Sequence, residues 1–153
     1  MNKKILLIGV GVVVIGVAAF MVVASAGVPK PPPIADRGKD SYYTSDVLTQ
    51  DMVEIMTNLR ATKVTFVKID SSVEYCIGEE MTEPEVPNLF LTKEAKLKDA
   101  LMMLLSSKAP EDVASREQKE LLKEEMKALI QKIIFPEKKG RVEGILFRDF
   151  KVQ

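Results

Sequence analysis

The chain has 153 residues, with 22 basic and 22 acidic side chains, no histidine and one cysteine, Cys76. Without histidine, imidazole acid–base chemistry, Ser/His/Asp triads and His/Cys metal sites cannot be assembled, and one cysteine makes no internal disulfide. Balanced charge with no basic cluster leaves no electrostatic footprint for nucleic acid, and no cofactor is expected.

Met1 to Lys4 is a short tail carrying two lysines. Ile5 to Ala26 follows, twenty-two residues without a charge, an amide or a proline. As a helix this run is roughly 33 Å long, enough to cross a hydrocarbon core of about 30 Å. The spacing predicts a transmembrane helix over 5–26. Lys3 and Lys4 hold the N-terminus in the cytoplasm and leave the remainder outside. Ala24-Ser25-Ala26 also fits a signal-peptide cleavage pattern. The apolar run before it exceeds the usual signal core, which favours an anchor that stays attached. Gly9, Gly11, Gly16 and Ala18 place a band of small residues on the span. Such a band lets another helix approach closely, although small residues are also frequent in membrane helices generally.

Residues 27–40, GVPKPPPIADRGKD, read as a stiff, extended linker, leaving 41–153 as one domain. Residues 51–59 alternate, with Val53, Ile55, Thr57 and Leu59 on one face, and predict a strand. A second strand covers 63–76. Its odd positions Thr65, Val67, Ile69, Ser71, Val73 and Tyr75 face one way, and Lys68, Asp70, Ser72 and Glu74 face the other, toward water. The short break between the two predicts an antiparallel hairpin. Cys76 is expected as a small buried hydrophobe. Residues 78–87 hold Glu79, Glu80, Glu83 and Glu85. They lack the ligand order of a calcium loop and read as a solvated acidic loop.

Residues 88–107 predict a helix with Leu97, Leu101, Leu104 and Leu105 along one stripe, widened by Met102 and Met103. Ala109-Pro110 turns the chain. Ser115 to Gln118 is a capping box, and the helix it opens runs to Ile134, burying Leu122, Met126, Leu129, Ile130 and Ile133. Pro136 stops it. Residues 141–152 predict a last strand, with Val142, Leu146, Phe150 and Val152 on one face and Ile145 and Phe147 on the other. Apolar residues on both faces imply cover on two sides. The order strand, strand, helix, helix, strand gives one α+β domain: an antiparallel sheet with two amphipathic helices packed on it.

The run Leu97 to Lys108, with Leu101, Leu104, Leu105, Ser106 and Ser107 at its end, is followed by Glu111-Asp112-Val113, Ser115-Arg116-Glu117 and Leu122. With the ending Gly140, Val142, Leu146-Phe147, Phe150 and Gln153, it resembles the FliL family of flagellar basal-body-associated proteins. The resemblance covers Leu97 to Gln153, with a looser fit around Asn58-Leu59. Gln118 stands where the family usually has a glycine, and Arg148 where a threonine is common. The resemblance implies a single-pass protein of the bacterial inner membrane whose periplasmic domain is like those of the stomatin superfamily (SPFH domains). It further implies self-association into a ring, and a non-enzymatic role beside flagellar stator proteins of the MotA/MotB type, supporting torque and motility. The residues alone leave two other readings: a membrane-anchored binding module unrelated to the flagellum, and an envelope enzyme working on carboxylates alone. The second needs facing carboxylates in a cleft, whereas every Asp and Glu here sits in a solvated pattern.

Overall fold

A computed structural model describes residues 37–153. The expected tail, span and most of the linker, with the small-residue positions Gly9, Gly11, Gly16 and Ala18, lie outside the described residues. Among the described residues no helix is long and apolar enough to cross a membrane. The elements are β1 (Leu48–Asp51), β2 (Ile55–Asn58), β3 (Phe66–Ile77), α1 (Glu85–Ser106), α2 (Arg116–Ile134) and β4 (Gly140–Val152). The domain is α+β, with an antiparallel sheet and two helices.

β3 is the centre of the sheet. β4 pairs along one side of it, and β1 and β2 share the other, all antiparallel. Each odd position of β3 from Val67 to Tyr75 is buried, as its alternation predicts, and the helices cover this face. The core combines Ile55, Val67, Ile69 and Val73 from the sheet with Phe90, Leu97, Leu101 and Leu105 from α1 and Leu122, Met126 and Ile130 from α2. Burial of each such side chain contributes about 1.5–3 kcal/mol, offset by the entropy of ordering it.

Four local expectations are corrected. The single strand predicted over 51–59 is two strands. Asp51 faces Ser72 and Ile55 faces Ile69, so Met52, Val53 and Glu54 stand against only two β3 residues. The extra residue is a bulge, and it lets both Met52 and Ile55 reach the core.

The two-faced pattern read in 141–152 is a one-faced strand with two bulges. Arg148 is the extra residue between Phe147 and Asp149, and Glu143 the extra one between Val142 and Gly144. Each extra residue reverses the alternation. Val142, Ile145, Phe147 and Phe150 therefore all face the helices, and Leu146 is left on the outer face, 45% exposed.

α1 begins at Glu85, three residues before its expected start, although Pro87 lies inside it. A proline in the first turn loses no helical hydrogen bond, because those N–H groups have no partner there in any case. In the region read as a solvated loop, Glu79, Glu83 and Glu85 are exposed as expected, but Glu80 is tied down. Arg37 donates to both carboxylate oxygens of Glu80, at 3.2 and 2.6 Å, and both side chains are largely covered.

Of the capping box at Ser115, the serine half is present: its hydroxyl accepts from the Gln118 N–H at 3.1 Å. Cys76 is buried as expected, but not in the main core. It lies with Tyr42 and Tyr43 in a small second cluster, where burial pushes its thiol pKa up.

Candidate interaction surfaces

The residues singled out from the sequence fall into three places. Leu101, Leu105 and Leu122 are in the core, with Leu104 packed against it. Ser106 and Ser107 close α1: their hydroxyls donate to the carbonyls of Met103 (3.0 Å) and Leu104 (2.6 Å). These bonds satisfy acceptors that a helix end leaves open. Ser115 opens α2. The motif at the α1–α2 junction is thus a corner in which one helix is ended and the next begun. Lys108 reinforces it by pairing with Glu125 on α2.

Phe147 and Phe150 sit at the rim. Their rings are 5.1 Å apart, and Lys123 and Lys119 of α2 lie over them at 5.4 and 4.7 Å. Gln153 exchanges both backbone hydrogen bonds with Phe66 and so closes the sheet end. All of these positions shape the domain; none converges on a reaction centre.

Three devices escaped the sequence reading. Gln131, near the end of α2, donates through Nε2 to the carbonyls of Phe135 (3.1 Å) and Gly140 (3.0 Å). Its Oε1 accepts from the Val142 N–H at 2.8 Å. One amide thus serves the i and i+2 backbone groups of β4 as a neighbouring strand would. Lys93 of α1 donates to the carbonyls of Ile133 (2.8 Å) and Ile134 (3.2 Å), a cation set at the C-terminal end of α2. Burial, and then Lys96, hold its pKa below the ordinary lysine value. Gly140 allows the Phe135 ring to lie against the backbone, since a Cβ there would come within 2.6 Å of the ring. A glutamine and a lysine on amphipathic helices carry no local signal of such long-range contacts; only Gly140, next to a turn, hinted at a close approach.

Apart from the exposed Met56 and Leu146, the outer sheet face is polar and laced with ion pairs. Arg148, lifted by its bulge, reaches Asp51 at 2.7 Å and Asp70 at 2.6 Å. Lys68 meets Glu54 at 2.7 Å, and Lys151 meets Asp149 at 2.6 Å. The Ser72 hydroxyl and then Arg148 hold the Asp51 carboxyl below its usual range. Among the described residues the buried polar side chains are Ser71 and Ser72, and no Asp or Glu is fully buried. Nor does any group of three or more His, Cys, Asp or Glu among them form a place for a metal ion. The arrangement offers surfaces for contact.

The family model for the flagellar basal body-associated protein FliL matches residues 49–153, from within β1 to the last residue. The chain belongs to the FliL family. A search of curated proteins gives no match. The family match covers β2, β3, β4, α1, α2 and all of β1 but Leu48, including the bulged β4 and the Ser106–Ser107 corner. It assigns this FliL-family protein to the flagellar basal body and to the machinery of motility, as an accessory component.

Proposed function

We propose that this FliL-family protein is a membrane-anchored scaffold of the flagellar motor that associates with the stator units and supports their torque. The family match over residues 49–153 carries the reading. The apolar run Ile5–Ala26, of membrane-spanning length, supports the anchor, with Lys3 and Lys4 cytoplasmic and the domain in the periplasm. In this reading the small-residue band of Gly9, Gly11, Gly16 and Ala18 packs a partner helix, and the domain, taken as similar to those of the stomatin superfamily, self-associates into a ring. The polar, ion-paired outer face and the rim at Phe147 and Phe150 favour contact over catalysis.

Deletion of the gene in a motile strain, with a fluorescent fusion restoring it, tests the proposal. Reduced swimming or swarming, with fusion foci coinciding with stator foci, is expected. Normal motility together with diffuse envelope fluorescence would remove it.

A further inference from the structure

The two edges of the sheet differ in charge: the outer edge of β4 also pairs with no strand among the described residues, but it carries Arg141, Arg148 and Lys151. At the start of β4, Gln131 fills the place of a neighbouring strand at Gly140 and Val142. On the opposite side, nothing among the described residues pairs with the outer edge of β1 or β2. Exposed edges are usually blunted by lysine or proline. Residues 46–59, which carry this edge, contain neither, nor any arginine; their charges are Asp46, Asp51 and Glu54. The Met52 N–H is spent inward on Ser71 (3.0 Å). The Asp51 carbonyl instead accepts from the side chain of its own neighbour Gln50 (3.1 Å), an exposed contact that an incoming N–H can replace.

A groove of about 480 Å³ runs beside this edge, between Gln50–Val53 and the first half of α1. Its floor is Met52, Phe90 and Leu97, all buried, and Leu91 stands on its rim, 70% exposed. No basic side chain lines it. Its charged members are Asp51, already paired with Arg148, and Glu94, which makes no ion pair among the described residues. An open strand edge beside a helix, over an apolar floor, is the geometry of strand addition, in which backbone hydrogen bonds give affinity and pockets read alternate side chains.

We infer that the β1–α1 groove receives an extended basic peptide segment. It adds as a strand along Thr49–Val53, sets a large apolar side chain over Met52 and Phe90, and places a Lys or Arg beside Glu94. The bulge at 52–54 ends the regular edge, so the added strand is short, about four to six residues. The groove stands independently of the stator reading, because its chemistry is the same whichever envelope protein supplies the strand.

The probe is a fluorescein-labelled heptapeptide alternating lysine with valine and phenylalanine. It is titrated against the full chain in phosphatidylcholine nanodiscs, with empty discs as background. Three companions accompany it: the same peptide N-methylated at alternate amides in each of the two possible phases, and a version with glutamate for lysine. Saturable anisotropy is expected with the parent peptide. A roughly tenfold or greater loss of affinity is expected for one N-methyl phase and not the other, because only one row of amides faces the edge. Leu91→Asp, on an exposed rim, is expected to weaken binding roughly tenfold, and Glu94→Lys roughly fivefold, with circular dichroism unchanged. No saturable binding by about 1 mM, equal tolerance of both methylation phases, or wild-type affinity in Leu91→Asp overturns the inference. So does equal binding of the glutamate peptide. None of these outcomes bears on motility or on localisation to the motor.

Discussion

Replacing Gln131 with methionine keeps the length and volume of the side chain and removes its amide. In the wild type that amide makes three hydrogen bonds, at 3.1, 3.0 and 2.8 Å, to groups that are partly shielded from water. An average intramolecular hydrogen bond contributes about 0.5–1.5 kcal/mol, and a buried group left unpaired costs about 1–3 kcal/mol. Water reaches some of this rim, which lowers the penalty for the carbonyls more than for the Val142 N–H. The expected loss is about 2–3 kcal/mol. In a domain of this size that corresponds to a fall in melting temperature on the order of 10 °C. The assay is urea unfolding followed by circular dichroism, with the slope on denaturant unchanged, because the surface exposed on unfolding is the same. Gln131→Glu separates the terms. It keeps the acceptor for Val142 but sets a carboxylate against the carbonyls of Phe135 and Gly140, so it should be at least as destabilising at neutral pH and recover in part when protonated. A loss below about 0.5 kcal/mol in Gln131→Met would refute the view that this amide stands in for a strand.

Three further outcomes are expected. Leu101→Ala empties a fully buried site between sheet and helices and should cost about 3–4 kcal/mol, seen as an earlier urea midpoint. The Tyr42 hydroxyl is buried with no hydrogen-bond partner among the described residues, so Tyr42→Phe should leave stability unchanged or raise it by about 1 kcal/mol in thermal melts. Asp51 and Asp149 both have carboxyl pKa values held below the usual range, by the Ser72 hydroxyl and Arg148 in one case and by Lys151 in the other. Unfolding restores their ordinary pKa, so the unfolded chain takes up protons first as pH falls. The stability they contribute is complete above the ordinary carboxylate range and is lost on acidification below it. Chemical denaturation across pH 3 to 7 should show that acid limb becoming shallower in Asp51→Asn; an unchanged limb would count against the pairing.

The elements with plain periodicity were legible. β3 alternates except that Ser72, read as facing water, is buried, and the leucine spacing of α1 and the Ser115 cap of α2 locate the helices and their buried faces, although Met103, read as widening the α1 stripe, is 67% exposed. The resemblance carried by Leu101 to Ser107 and Phe147 to Gln153 matched the family assignment. What misled was phase. Three extra residues, one in 52–54 and then Glu143 and Arg148, each reverse an alternation that looks continuous when read along one strand. A bulge is defined by the partner strand, so a single strand's pattern cannot reveal it. Reading across it made Ile145 and Phe147 appear to oppose Val142 and Phe150, although all four face the helices. Long-range polar contacts were equally hidden. Gln131 and Lys93 look like ordinary helix-surface residues until the chain brings β4 and the end of α2 beside them. Arg148 acquires its role only once the bulge lifts it between Asp51 and Asp70.

The central claim is that this domain works by contact with the motor. Its most direct test places a photo-crosslinking amino acid at exposed positions, Met103 on α1, Leu121 on α2 and Leu146 on the sheet, in otherwise motile cells. Capture of stator subunits, and of second copies of this chain, from at least one of these faces is the predicted result. Adducts confined to envelope proteins outside the flagellum, from all three faces and in cells whose motors turn normally, would contradict it.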